Sequence, residues 1–371
     1  MDIDRLHKGN EVLINNLYVP KTQKLAFRLK LDQKYPYNEN YVNFSEEILT
    51  IISNHFHENP GYTYPAGNLA ARQYLAQLYG VQPSDVFLAP TMSQAHWYLL
   101  NIFLDSGDSV ACNEGLKPDL LKVKIDTDYR VASLTDVEQS KLVFVRNPDI
   151  DSDLLDPAIT DWIRNLKTAE KGFLLPKAFV SEEPYSLYMD NNPMSSARSI
   201  EMPEQTPVYL LASLNELLLN EDSGFAIIVL LNNANKRFDQ LNIALKHLSR
   251  FYNPPNTAIH PLISKILPLL DYKSAIRNYE LIEERKAALI DLMTTKGVKA
   301  KKTPHLVFSI GVKRSPKLID MIETGQLLLP RSELLRDESA YVYVSVLYPD
   351  SVFHALIDAL LEDAGMLDIC P

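Results

Sequence analysis

Apolar residues in the first part of the chain follow two alternating patterns. Short apolar runs predict buried strands, and segments with apolar residues three and four positions apart predict helices. The predicted strands lie at 86–89, within 106–112, and at 142–145, 178–180, 208–211 and 225–231. The predicted helices lie at 45–56, 68–79, 94–104 and 155–166. This alternation is typical of a mostly parallel sheet with helices on both faces.

The segments that follow the predicted strands form the candidate site. Ligands of parallel sheets bind beyond the carboxyl ends of the strands. The candidate segments are therefore 90–93, 146–150, 181–185 and 213–224. The last of these carries Glu216, Glu221 and Asp222, although an anion-binding loop would carry positive charge.

The pattern changes after residue 233 and predicts a second, smaller domain. Helices are predicted over 238–248, from about 274 to 294 and over 353–360, and strands over 305–310 and 340–346. We therefore expect an α/β fold, in which a large domain with a mostly parallel sheet precedes a smaller α+β C-terminal domain. The predicted boundaries are 45–250 for the large domain and 251–371 for the small one.

Composition narrows the classes of partner. With 371 residues and a net charge of −10, the chain is long enough for two domains and would repel nucleic acids and anionic membranes. The basic stretch Lys299–Lys302 is interpreted as a solvated connector. No apolar run approaches the ~20 residues that cross a bilayer, and no secretory signal is visible. The chain has two cysteines, so we expect a reduced, cytoplasmic setting.

Several candidate binding motifs lack the residues or the spacing that their function requires. The 12 glycines are under half of the ~7% average usage, and no phosphate-binding glycine loop is present. The acidic stretch 149–153 lacks the glycine and glutamate of a calcium loop, and His55 and His57 point to different sides of a helix. No metal site is expected. His96 is interpreted as a packed or hydrogen-bonded histidine, and a role in the site is the alternative.

The order of the motifs resembles a known family. The segments in question are "YTYPAGNLAARQYLAQLYGV", "VFLAPTMSQAHWYLL", "SGDSVAC", "VFVRNPDIDSDLLD", "VSEEPYSLY", "YLLASLNE" and "YVYVSVLYPD". Together they resemble the class I and II aminotransferases, the fold-type-I enzymes that use pyridoxal 5′-phosphate. The resemblance spans nearly the whole chain. It implies an aminotransferase-like large domain and a small domain that the N-terminal arm, residues 1–44, partly joins.

Some positions match the family's site. The resemblance places Met92 and Ser93 in the phosphate turn and Glu182 where a shorter acid pairs with the pyridinium nitrogen. Tyr185 and Ser213 also match cofactor-binding positions. Gly67 matches a glycine near the substrate.

Other positions depart from the family. Glu216 stands where the family has the lysine that forms the Schiff base, and a carboxylate cannot form an imine. The phosphate-binding arginine falls among Asp222 and Ser223. Tyr343 replaces the arginine that binds the substrate carboxylate. Ile150 replaces the asparagine that meets the ring hydroxyl, and the stacking aromatic falls in the Leu116 region.

Two hypotheses follow from these departures. In the first, the protein has lost the cofactor and its transamination, and serves as a non-catalytic binding or partner protein. In the second, it is an atypical enzyme acting on an amino acid or a related small molecule, with pyridoxal phosphate and a substitute lysine or with Glu216 as acid or base. The resemblance also implies a homodimer.

Overall fold

The computed structural model describes most of the central and C-terminal parts of the chain. The described residues are 50–51, 54, 64–124, 128–147, 157–168, 175–183, 200–213, 226–233, 235–252, 264–266, 272–304, 309–323, 341–346, 354 and 356–358. They divide between two compact units, and the change of unit falls between Ala275 and Ile276. The predicted N-terminal arm, residues 1–44, lies outside the described residues.

The first unit is built on a sheet of seven strands. In chain order they are β1 (Val86–Ala89), β2 (Ser109–Cys112), β3 (Arg130–Ser133), β4 (Leu142–Arg146), β5 (Ala178–Glu182), β6 (Val208–Ser213) and β7 (Ala226–Leu230). Their order in the sheet is β1-β7-β6-β5-β4-β2-β3. Only β7 runs antiparallel to its neighbours, so the carboxyl ends of the other strands share one edge. This confirms the predicted α/β fold with a mostly parallel sheet.

Helices cover both faces of this sheet. They are α1 (Leu69–Tyr79), α2 (Met92–Phe103), α3 (Lys117–Lys122), α4 (Pro157–Thr168) and α5 (Asp239–Tyr252). Strand residues alternate between the faces: Phe144 packs with α2 and α5, whereas Val143 packs with α4. The core of the unit is therefore two apolar layers around one sheet.

Local capping fixes the ends of α1 and α2. The Asn68 side chain accepts a hydrogen bond from the Ala71 amide, and Gly80 ends α1 in the left-handed conformation. The Thr91 side chain accepts from the Gln94 amide, so α2 begins at Met92 rather than at Gln94 as predicted.

The candidate segments also begin later than predicted. Arg146 and Ser213 are the last residues of β4 and β6, and Ser181 and Glu182 are the last two residues of β5, so none of them is a loop residue. The strand β3 was not predicted, because its short sequence contains no apolar run.

The second unit contains an antiparallel sheet of three strands, in the order β10-β9-β8. They are β8 (Ala300–Lys302), β9 (Ser309–Lys313) and β10 (Tyr341–Ser345), with helices α6 (Tyr272–Thr295) and α7 (Pro316–Glu323). The stretch Lys299–Lys302 is therefore not a solvated connector. Most of it forms the edge strand β8, and the Lys302 ammonium binds Glu283 at 2.7 Å.

No helix among the described residues is long and apolar enough to span a membrane.

Candidate functional site

The carboxyl ends of β4 and β5 bring two opposite charges together. Arg146 ends β4, Glu182 ends β5, and the two residues are register partners in the parallel sheet. Adjacent strands lie about 4.8 Å apart, and partner side chains leave the sheet on the same face. The sheet register alone therefore places the guanidinium beside the carboxylate.

Both oxygens of the Glu182 carboxylate have partners. Arg146 Nε donates to Oε1 at 2.8 Å, and Arg146 Nη2 lies 2.8 Å from the same oxygen in an ion pair. His96 Nε2 lies 2.6 Å from Oε2. Glu182 is only 3% exposed, so these contacts replace water almost completely.

The environment keeps Glu182 ionised. Burial alone raises the pKa of the Glu182 carboxyl group, but the positive charge of Arg146 and the contact with His96 lower it by more. The resulting pKa lies below its ordinary value of 4.5. An ionised carboxylate only accepts hydrogen bonds, so His96 Nε2 is the donor in their contact.

His96 is fixed between a helix and the sheet. It lies on α2, is buried, and meets Phe144 edge to face with 5.6 Å between ring centroids. Phe144 precedes Arg146 by two residues and therefore lies on the same face of β4. The structure confirms the interpretation of His96 as a packed, hydrogen-bonded histidine, and it identifies Glu182 as the partner.

Arg146 also binds the segment that follows β2. Its Nη2 lies 2.9 Å from Asp119 Oδ2, and its backbone amide donates to Asn113 Oδ1 at 2.6 Å. Its Nη1 has a longer contact of 3.5 Å with the Gly115 carbonyl oxygen. Through its backbone amide and its guanidinium, Arg146 thus joins the ends of β4 and β5 to residues 113–119.

Other predicted positions lie along the same edge of the sheet. Met92 and Ser93 open α2 directly after β1, and Ser213 ends β6 and is buried. Leu116, near the position of the stacking aromatic, is fully buried in the core. Their predicted roles toward a cofactor stay predictions.

The requirement for glycine at residue 67 is explained by packing. Gly67 has a φ of +98°, and a Cβ atom there would lie 2.7 Å from Leu88 Cβ. Its amide donates to the Tyr64 carbonyl oxygen at 2.7 Å in a turn. A contact of Gly67 with substrate stays a prediction.

Tyr343 belongs to the second unit, where its ring contacts a lysine. The Lys301 ammonium lies 5.4 Å from the centroid of the Tyr343 ring and 4.7 Å from that of Tyr341. Gly311 separates Lys301 from Tyr343 in the sheet register, and it leaves room for the lysine stem. Tyr343 is buried in this arrangement.

The remaining predicted positions lie outside the described residues. They are Ile150, Tyr185, Glu216, Glu221 and Asp222. Within the described ranges, no group of three or more His, Cys, Asp or Glu side chains could hold a metal ion.

Sequence reasoning placed Arg146 in the candidate segment 146–150 without giving it a role, and it missed Asp119. A usable signal existed for Arg146, because a charged residue directly after the apolar run Leu142–Val145 ends a buried strand at the ligand-binding edge. Asp119 had no such signal, since only the fold brings α3 to this edge.

The fold of this chain is similar to that of fold-type-I aminotransferases whose structures have been solved. Thermus thermophilus aspartate aminotransferase, as a single mutant, matches with a TM-score of 0.69 and 14% identity over 96% of this chain and 99% of that chain. Aspartate aminotransferase from Thermotoga maritima matches with a TM-score of 0.68 and 14% identity over 97% of this chain and 100% of that chain. Alanine aminotransferase from Pyrococcus furiosus matches with a TM-score of 0.69 and 15% identity over 96% and 99%. At these identities the likeness shows the fold alone.

Comparison by sequence gives no match, either to a protein-family model or to a curated protein.

Proposed function

We propose that this protein keeps the aminotransferase fold but does not carry out pyridoxal-phosphate-dependent transamination, and that it serves as a non-catalytic binding or partner protein. The observation that supports this proposal is the state of Glu182. Its buried carboxylate already has a cation of the chain, Arg146, at 2.8 Å and a second donor, His96, at 2.6 Å.

These residues do not fit a pyridinium ring. A pyridinium nitrogen bound to Glu182 would place a second positive charge next to the Arg146 guanidinium. At a separation of ~5 Å and an effective dielectric constant of ~20, this repulsion alone costs roughly 3 kcal/mol, and the Asp119 carboxylate next to Arg146 offsets part of it. Glu182 is the acid that the resemblance assigns to this nitrogen, so the binding of the ring would lose its main charge partner.

Two further positions support the same conclusion. Glu216 offers no amine for a Schiff base, and transamination by the family's route needs that imine. Asp222 and Ser223 stand where the family has a cation for the phosphate group. Each departure weakens a different part of cofactor binding, so the changes reinforce one another.

We further propose that the protein is a homodimer, as the resemblance implies. Size-exclusion chromatography with light scattering measures this directly, and a monomeric mass at micromolar concentration would contradict it. A cytoplasmic location likewise stays a prediction.

The alternative is an atypical aminotransferase-like enzyme acting on an amino acid or a related small molecule. It would use Glu216 as acid or base, or a lysine from elsewhere in the chain. Glu216 lies outside the described residues, and the pairing of Glu182 with Arg146 argues against the form of this hypothesis that uses the cofactor.

A visible absorption spectrum of the purified protein tests the proposal. The protein is measured with and without added pyridoxal phosphate, then treated with borohydride and digested for mass spectrometry. We expect no absorption band that borohydride fixes onto one specific lysine, and no amino transfer from amino acids to keto acids. A single modified lysine, or measurable turnover, would reject the proposal and identify the substitute amine.

A further inference from the structure

The pairing of Glu182 with Arg146 extends the proposed function and rests on it. We infer that Arg146 is a built-in counter-ion: its guanidinium supplies to Glu182 the positive charge that the resemblance assigns to a cofactor. At the carboxyl edge of β4 and β5, the Glu182 carboxylate then has a charge partner from the chain itself. Arg146 is a positioning residue in this account, because it acts by holding other side chains in place.

The geometry favours arginine over any other cation at residue 146. Two nitrogens of one planar group reach the same carboxylate oxygen at 2.8 Å, while Nη2 also reaches Asp119 at 2.9 Å. A lysine ammonium is a single point charge on a flexible stem and cannot reproduce this fork. Both Arg146 and Asp119 are mostly buried, with side chains 14% and 12% exposed.

The same guanidinium joins three parts of the unit. Through Glu182 it is connected to His96 on α2, and through Asp119 and the Gly115 carbonyl oxygen it is connected to the segment after β2. Loss of the guanidinium would leave the Glu182 carboxylate almost fully buried with only His96 as partner. An uncompensated buried charge is among the most destabilising changes that one substitution produces.

Removal of the side chain should therefore create a binding site with a defined preference. An Arg146→Ala variant would have a guanidinium-sized space next to Glu182 and Asp119. A small guanidinium compound could enter it and restore both contacts. The ligand class that this inference predicts is a planar organic monocation with parallel N–H donors.

Thermal unfolding of Arg146→Ala, with methylguanidinium chloride as the probe, tests the inference. We expect the midpoint to fall by roughly 10 °C, since a buried pair is broken in a large protein. Millimolar methylguanidinium should recover part of this loss, and recovery should increase with the logarithm of its concentration. Sodium chloride at equal ionic strength should not reproduce the recovery.

Two controls separate this effect from general effects on stability. Arg164→Ala removes a guanidinium from an exposed pair with Asp161, and the probe should not stabilise this variant. Arg146→Ala combined with Glu182→Gln should show a weaker response than Arg146→Ala alone, because one of the two carboxylates that bind the probe is gone. The inference is overturned if methylguanidinium stabilises wild type, the control and Arg146→Ala equally, or stabilises none of them.

A second pair of variants covers the case in which Arg146→Ala does not fold. Arg146→Lys keeps the charge, whereas Arg146→Met keeps only the volume. We expect Arg146→Lys to have the higher unfolding midpoint, and equal midpoints would reject a counter-ion role. The absorption spectrum of the wild-type protein separates this inference from the proposed function. A lysine adduct in the wild-type protein would reject the proposed loss of cofactor chemistry. The response of Arg146→Ala to methylguanidinium would still decide the role of Arg146.

Discussion

Two regions of the molecule hold a side chain at a position where the resemblance expects contact with a ligand. In the first unit this side chain is Glu182, and in the second unit it is Tyr343. In both units, a cation of the chain contacts that side chain: Arg146 binds the carboxylate, and Lys301 lies over the tyrosine ring. The shared feature is that the side chain at each of these positions contacts a cation of the chain itself.

The two contacts differ in what their loss would cost. Arg146 and Glu182 form a buried charge pair, and breaking such a pair from one side costs about 3–5 kcal/mol. Lys301 is only half-buried and meets a neutral ring, and cation–π contacts of this kind contribute about 0.5–1 kcal/mol. The stability of the first unit is therefore expected to depend strongly on its internal cation, whereas the stability of the second unit is expected to depend on its cation only weakly.

The largest loss of unfolding free energy among the substitutions discussed below is expected for Glu182→Gln. This substitution keeps the volume but removes one of the two carboxylates that bind Arg146 and leaves Asp119 as the other, so we expect the free energy of unfolding to fall by about 1.5–3 kcal/mol. Urea denaturation measures the change. Glu204→Gln is the matched control, since Glu204 forms an exposed pair with Arg237, and its loss should cost under about 1 kcal/mol. Similar losses in both variants would contradict the comparison.

The effect of Glu182→Gln should also depend on pH in a defined direction. The pKa of Glu182 is lowered in the folded protein, so the carboxylate stabilises the fold above its ordinary value of 4.5. That contribution is lost as the pH falls through the lowered value, because the folded carboxyl group is then protonated. The stability difference between wild type and variant should therefore shrink in acid. A difference that stays constant from neutral to acid pH would show that Glu182 acts through packing rather than charge.

The sequence predicted the strands and helices of the first unit better than the side-chain contacts at the carboxyl edge of its sheet. The strands at 86–89 and 142–145 and the helix after Asn68 were visible because local apolar spacing and capping determine them. Even the burial of His96 followed from its place on an apolar helix.

The partnership of Glu182 with Arg146 could not be predicted in the same way. These residues are 36 positions apart, and only the register of β4 against β5 makes them neighbours. The contact of Lys301 with Tyr343 depends on an edge strand of three residues, which is too short for a periodic pattern. Pairing between strands is non-local, so no single segment contains the information.

A smaller effect is expected for Gly311→Ala, which tests how the second contact is built. The added Cβ would lie 2.8 Å from Lys301 Cγ and 3.4 Å from Tyr343 Cε1, so the lysine stem must move off the ring. We expect a loss of roughly 1–2 kcal/mol in unfolding free energy, which is typical of mild overpacking. Urea denaturation of the single variant measures it.

Because the added Cβ would collide with the Lys301 side chain, the stability cost of Gly311→Ala should depend on that side chain. A double variant measures this dependence. In a Lys301→Ala background the stem is absent, so Gly311→Ala should cost clearly less than it does in the wild-type background. Equal costs in the two backgrounds would mean that Gly311 serves the backbone of β9 rather than the lysine.

The smallest effect is expected for Lys301→Met, which removes the charge and keeps a stem of similar length. Tyr341 and Tyr343 would still be covered by apolar atoms, and the loss of the attraction between ammonium and rings should cost about 0.5–1 kcal/mol. Lys299→Met, at an exposed position beside the same edge strand, is the control and should change the unfolding free energy by less than about 0.5 kcal/mol. If Lys301→Met instead costs as much as Glu182→Gln, the second unit depends on its internal cation as strongly as the first, and the contrast between the two regions fails.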